Sequence, residues 1–375
     1  MSGLEMRILP DNFCRLPWNG LDVGPQGGFK PCCKYREDIA QDLDGYLHSE
    51  KLDLLRQEFL SGQHPAGCQR CWDDEAAGIP SKRQLDNAYT FGGQEVVLDG
   101  VRTLSLPFGN TCNLACVTCG SHSSSRWVTD ERKLPNRFGR QIFGHSQFYR
   151  DPGFLDRIAG LCDDVIHIDI PGGEPFFSDR DLHLGFLQQL KNPHNIKLHY
   201  TTNGTVYPDP EFWAVWSRFR ATDIQVSIDG VGDRFEYIRH PAQWHEVEKN
   251  LFRYRDQGTT QISISHTVSW LNVMYLDEFV GWCQTNSLPE PYLGPVSRPA
   301  YLDARCLPSA AKSRIAHHLR SSSHAMVRQF ADYLLQDLDR DLWTQAQDWV
   351  AELDRLRDRD WRQTFPELEQ VIQNP

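Results

Sequence analysis

The stretch that decides the fold is Val101-Arg-Thr-Leu-Ser-Leu-Pro-Phe108-Gly-Asn-Thr-Cys112-Asn-Leu-Ala-Cys116-Val-Thr-Cys119. Val101–Phe108 reads as a buried strand. Directly after it come three cysteines within eight residues. Thiolates so spaced on a loop behind a strand can converge on one soft metal centre. A closed structural zinc site needs four ligands, and the well-placed fourth is His122, so a knot of three cysteines and one histidine is one reading. The other is a 4Fe-4S cube whose fourth iron stays open to a small molecule.

Downstream, short apolar or β-branched runs alternate with helical stretches. The strand candidates after Val101–Phe108 are Val165–Ile170, Ile196–Tyr200, Ile224–Ile228, Gln261–Val268 and, more weakly, Tyr292–Val296. Helical spacing falls at Phe154–Leu161, Asp181–Lys191, Glu211–Phe219, Trp244–Arg255 and Tyr275–Gln284. Six strands alternating with helices indicate an α/β protein with a parallel sheet, either curved into a partial barrel or open. In such sheets the working residues gather at the carboxyl ends of the strands.

Upstream, residues 1–95 are loop-rich and hold Cys14, Cys32, Cys33, Cys68 and Cys71. Leu21–Val23 and Phe29 suit a hairpin turning at Gly27-Gly28, and Leu47–Leu60 has the spacing of one helix. The central region spans 96–305. From 306 to 375 the pattern is helical, with Leu342, Ala346, Trp349, Leu353 and Leu356 forming a stripe that reads as plain core.

Composition bounds the rest. Of 375 residues 40% are hydrophobic and 24% charged, enough for a large core. A net charge of -11 argues against general nucleic-acid binding by the whole surface. No apolar run is long enough for a membrane span, and the expectation is a cytoplasmic protein. There, 11 cysteines are not mainly disulfides.

Four motifs in order carry a family resemblance. Cys112-x-x-x-Cys116-x-x-Cys119 is followed by Pro171-Gly172-Gly173-Glu174-Pro175, Thr201-Thr-Asn203-Gly204 and Val226-Ser227-Ile-Asp229-Gly230, each behind a strand. Together they resemble the radical S-adenosylmethionine (radical SAM) enzymes over residues 101 to 300. The resemblance implies a partial (β/α)6 barrel and a 4Fe-4S cluster on Cys112, Cys116 and Cys119. It implies S-adenosylmethionine bound by Gly172, Gly173, Glu174, Pro175, Asn203, Ser227 and Asp229. Asn-Gly and Asp-Gly are also common turn dipeptides. Thr118 stands where the family often has a large or aromatic residue.

Cys14-Arg-Leu-Pro17-Trp18, Pro31-Cys32-Cys33 and Cys68-Gln-Arg-Cys71-Trp72 resemble the auxiliary-cluster region of the SPASM and twitch subfamilies, here ahead of the barrel. Gly78-Ile-Pro-Ser81-Lys-Arg83 and Arg234–Pro241 fit a branch with that order. The resemblance implies a second 4Fe-4S cluster held by Cys14, Cys32, Cys68 and Cys71, with Cys33 as an alternative to Cys32. A four-cysteine zinc ribbon uses the same spacing. The implied activity is cleavage of S-adenosylmethionine to a 5'-deoxyadenosyl radical that abstracts hydrogen from a ribosomally made peptide, then oxidised, epimerised or crosslinked. The implied reductant is a flavodoxin or ferredoxin. A small metabolite such as a sugar or nucleoside is the alternative substrate, and a non-catalytic metal-stabilised binding protein the alternative class. Residues 126–150, with Arg132, Lys133, Arg137 and Arg140 among aromatics, are a candidate grip for an anionic or peptide substrate, and no residue is named as hydrogen donor or base.

Overall fold

The computed structural model describes residues 9–76, 80–92, 96–135, 138–296, 298–338 and 341–373. Its strands are β1 (Gly20–Val23), β2 (Phe29–Lys30), β3 (Thr103–Ser105), β4 (His167–Ile170), β5 (Lys197–Thr202), β6 (Ala221–Ser227), β7 (Gln261–Val268) and β8 (Tyr292–Pro295). They follow the sheet order β2-β1-β3-β4-β5-β6-β7-β8. β1 with β3, β3 with β4, β6 with β7 and β7 with β8 run parallel, and β1 with β2 is antiparallel. Each of the six strands expected from sequence is present as β3 to β8. The sheet is wider than expected, because the hairpin foreseen in the cysteine-rich region joins it. Gly20, Leu21 and Asp22 pair with Thr103, Leu104 and Ser105. Leu21, Val23 and Phe29 are all buried, so this hairpin gains more apolar contact inside the sheet than it would alone.

The chain forms two compact units. The first comprises residues up to 110, 146–199 and 210–222. In it β4 alternates, with Ile168 and Ile170 buried and His167 and Asp169 on the less covered face. Helices Phe154–Gly160 and Arg180–Gln189 put Ile158, Phe186 and Leu187 into the apolar layer. The helix expected over 47–60 is two helices, Leu43–Leu47 and Glu50–Leu60. Asp42 caps the first through the Gly45 amide. The extended backbone of Ser49 breaks the run and restarts it, which apolar spacing cannot reveal.

The second unit comprises residues 111–145, 200–209 and 223–375. Helices Trp244–Gln257 and Leu276–Thr285 make the crossovers around β7. The C-terminal helices include Ser309–Arg320, Ala325–Leu334, Trp343–Arg357 and Pro366–Gln373. Of the expected stripe, Leu342, Ala346, Trp349 and Leu353 are buried in one core with Trp127, Trp270 and the cysteine-loop residues Ala115 and Val117, while Leu356 is only half-buried. Burying such side chains contributes roughly 1.5–3 kcal/mol each. The C-terminal helices therefore form the floor of the cysteine loop. Among the described residues, no helix is long and apolar enough to cross a membrane.

Candidate functional site

The cysteine loop is held by backbone before its sulfurs are considered. The Ala115 amide donates to the His240 carbonyl and the Val117 amide to Ile238, both at 2.7 Å. Ser124 Oγ donates to the Leu114 carbonyl at 2.5 Å. Trp127 Nε1 donates to the Cys116 carbonyl at 2.9 Å, and Arg140 donates to the Cys119 carbonyl. With its backbone fixed in this way, the loop presents three thiols as electrostatic neighbours, Cys116 acting on both Cys112 and Cys119. Burial pushes the Cys116 thiol well above its ordinary value, against the pull of Arg239. Such a thiol keeps its proton at neutral pH until a cation replaces it. The Leu114 amide at 3.5 Å and the Asn203 side-chain amide at 3.8 Å both donate to Cys112 Sγ. The donor set is soft and is supplied with N–H groups for thiolate charge, which suits an iron-sulfur cluster. Among the described residues no three His, Cys, Asp or Glu side chains converge as ligands of one metal ion.

Asn203 is tied into this loop on both sides. Its Nδ2 also donates to Asn113 Oδ1 at 2.9 Å, and its Oδ1 accepts from the Thr205 amide at 2.9 Å. Asp229 is fully buried at the end of β6. One of its oxygens accepts from the Thr267 amide at 2.8 Å, and the other lies 3.0 Å from Arg239 Nη2. Arg239 in turn acts on Cys116 and Cys119. Ser227, on the same strand end, pairs in register with Ser265. His122, the fourth ligand of the zinc reading, lies edge-on to Phe143, its ring centroid 6.3 Å away. Burial, then the charge of Arg140, lowers its pKa.

In the first unit, the turn after β4 carries Pro171-Gly172-Gly173-Glu174-Pro175. Gly172 has φ +77° and Gly173 φ +46°, both left-handed. A Cβ on Gly172 would stand 2.7 Å from Pro107 Cβ, so both space and backbone demand glycine there. Glu174 is buried and accepts from the Phe176 amide at 3.2 Å. Ser178 Oγ donates to the Pro175 carbonyl at 2.7 Å, closing the turn.

The N-terminal cysteines also gather in this unit. Cys14 acts electrostatically on Cys68 and Cys71, Cys32 on Cys14, and Cys68 on Cys32 and Cys71. Burial raises the Cys14, Cys32 and Cys68 thiols. Cys33 is exposed and faces different company, namely Lys82, Asp22, Asp169 and Lys34. Asp22, Ser105 and Asp169 sit in register across β1, β3 and β4. Burial lifts Asp22 to about 6, against Lys30 and Ser105. Burial also opposes ionisation of Asp169, but the His167 hydrogen bond at 3.0 Å, with His199 and Lys82, holds it at about 2.

Trp127, Arg140, Arg239 and Arg357 support the cysteine loop, yet sequence reading gave none of them that role. Arg239 does lie inside the Arg234–Pro241 stretch that the family resemblance singles out, and Trp127 inside the candidate grip over 126–150. Arg140, expected as a substrate grip, is turned inward instead, pairing with Glu131 at 2.9 Å and stacking over Trp127 and Trp349. Buried aromatic faces and a buried carboxylate satisfy its charge better than solvent contact on a loop would. Arg132 and Lys133 are exposed, while Arg137, like Gly78 and Ile79, lies outside the described residues.

No family model matches the chain. The mycofactocin maturase MftC of Mycolicibacterium smegmatis is 28% identical over 183 residues, 48% of this chain and 41% of that protein. MftC of Mycobacterium tuberculosis is 29% identical over 186 residues, with the same coverage. The chain thus spans about two fifths of the length of the curated relatives it matches. Among solved structures, native anSMEcpe with bound AdoMet aligns with TM-score 0.40 and 18% identity over 52% of each chain. Streptococcus suis SuiB aligns with TM-score 0.37 and 15% identity, over 79% of this chain and 64% of that one. By sequence, this chain is homologous to the mycofactocin maturases over about half its length.

Proposed function

We propose that the protein is a radical SAM enzyme that modifies a ribosomally made peptide. The observation that carries this reading is the cysteine loop: three neighbouring thiols on a backbone fixed through Ala115, Cys116, Val117 and Cys119. The homology to the mycofactocin maturases supports it, as their name describes the maturation of a product. Cys112, Cys116 and Cys119 would hold a 4Fe-4S cluster, which when bound would supply the electron for reductive cleavage of S-adenosylmethionine.

The chain's own residues do the positioning. Asn203 orients the Cys112 sulfur, and Asp229 keeps the Arg239 charge beside Cys116. Gly172 and Gly173 leave backbone bare for the methionine end of the ligand, with Glu174 and Pro175 fixing that turn. Ser227 offers a hydroxyl to the ribose. A second 4Fe-4S cluster would sit on Cys14, Cys32, Cys68 and Cys71, with Cys33 as the alternative to Cys32. A flavodoxin or ferredoxin is the reductant, and the setting is cytoplasmic.

The test supplies the reconstituted protein with S-adenosylmethionine, dithionite and the short peptide encoded beside its gene. The expected result is a change in peptide mass that requires S-adenosylmethionine. An unaltered peptide alongside turnover of a free sugar or nucleoside would move the substrate to the small-metabolite class.

A further inference from the structure

The strongest unassigned feature is the way the C-terminal helix Trp343–Arg357 reaches the cysteine loop. We propose that Arg357 is a positioning residue for the cluster on that loop, holding the backbone ahead of Cys116 and placing a positive charge beside it. The inference rests on the loop holding a 4Fe-4S cluster.

Arg357 Nη2 donates to the Ala115 carbonyl at 2.7 Å and pairs with Asp130 at 3.2 Å, its side chain almost wholly buried. Its guanidinium lies 4.9 Å from the Trp127 ring centroid. Trp127 donates to the Cys116 carbonyl and stacks on Trp349 at 5.7 Å. Arg140 covers both rings, at 5.1 and 4.7 Å, and donates to the Cys119 carbonyl. The carbonyls of residues 115, 116 and 119 are therefore held by three side chains that stack on one another. Gly120 belongs to the same device, since a Cβ there would stand 2.1 Å from Arg140 Nη2.

Two consequences follow from the chemistry. A loop held at three carbonyls presents its thiolates already arranged, so losing one support lowers affinity for the cluster. A buried cation near thiolate ligands also favours the reduced state of a cluster, because reduction adds negative charge. Arg357 is in that position by geometry, since its Nη2 is bonded to the carbonyl of Ala115, the residue next to Cys116.

The experiment reconstitutes the full chain anaerobically with iron and sulfide. It measures iron per protein, the potential at which the reduced-cluster resonance appears, and thermal unfolding. Arg357→Met keeps the apolar stem but loses donor and charge. It is expected to lower iron affinity about tenfold or more and to shift the potential downward. Arg357→Lys should restore the potential. Tyr275→Phe, which removes the 2.9 Å bond to Glu367 in the same helical region, should lower stability while leaving iron and potential unchanged. Where Arg357→Met fails to fold, Arg357→Gln carries the test: it keeps a donor for Ala115 and should lower the potential with iron nearly retained. Wild-type iron affinity and potential in the Met variant, or an unmoved potential in the Gln variant, overturns the inference. Absence of iron dependent on Cys112, Cys116 and Cys119 in the wild type overturns the cluster reading itself, so the two failures are distinct.

Discussion

Arg239 Nη2 lies 3.0 Å from Asp229 Oδ2, an ion pair in which the carboxylate is fully buried. Burial alone would strip the Arg239 charge, and Asp229 is the first group that restores it. Asp229→Asn leaves the guanidinium buried without its counter-ion beside the cysteine loop. Breaking such a pair costs about 3–5 kcal/mol. Urea unfolding of the iron-free protein should show a loss of that size, and a loss below about 1 kcal/mol would mean the pair is not formed.

Cys32 and Cys33 are adjacent in sequence but face different neighbours. Cys32 shares its surroundings with Cys14 and Cys68, whereas Cys33 is set among Lys82, Asp22 and Asp169. Cys32→Ala should therefore remove the auxiliary share of bound iron, about four atoms per chain for one 4Fe-4S cluster. Cys33→Ala should leave the iron count at the wild-type value. The reverse pattern would exchange the two ligands.

How much of this was legible depends on how local the cause is. β3 to β8 follow from apolar runs and the turn chemistry around them, and the stripe from Leu342 to Leu353 follows from its spacing. The Leu43–Leu47 and Glu50–Leu60 break was hidden because one residue, Ser49, leaves helical backbone while the apolar spacing continues. The supports of the cysteine loop were hidden for a different reason. Arg357 meets Ala115 across 242 positions, and Arg140 looks like any loop cation until Trp349 is brought beneath it. Only packing joins them, and no periodicity records it.

Asp22 and Asp169 act on stability in opposite directions. The folded value of Asp22 is raised to about 6, so its favourable contribution is complete below the unfolded value of about 4 and is lost as pH rises through 6. Asp169 is lowered to about 2, so its contribution is present above about 4 and is lost as pH falls toward 2. Asp22→Asn should therefore flatten the fall in stability between about pH 4 and 6. At pH 7 it should stabilise by roughly 2–3 kcal/mol relative to the wild type. Unfolding curves across that range check both points, and an unchanged slope contradicts a buried, neutral-leaning Asp22.

Gly172 combines φ +77° with a site where a Cβ would stand 2.7 Å from Pro107 Cβ. Gly172→Ala should cost about 1–3 kcal/mol and weaken S-adenosylmethionine binding, while iron content stays at the wild-type value. Equilibrium unfolding and ligand titration on the reconstituted protein read the two effects separately. Unchanged stability would show that the turn does not need its left-handed residue.

The most direct test of the account is cleavage of S-adenosylmethionine by the anaerobically reconstituted chain under dithionite, without peptide. Methionine and 5'-deoxyadenosine are expected in equal amounts, with none formed when Cys112, Cys116 and Cys119 are replaced together by Ala. Stoichiometric zinc in place of iron, or 5'-deoxyadenosine still formed by the triple variant, would contradict it.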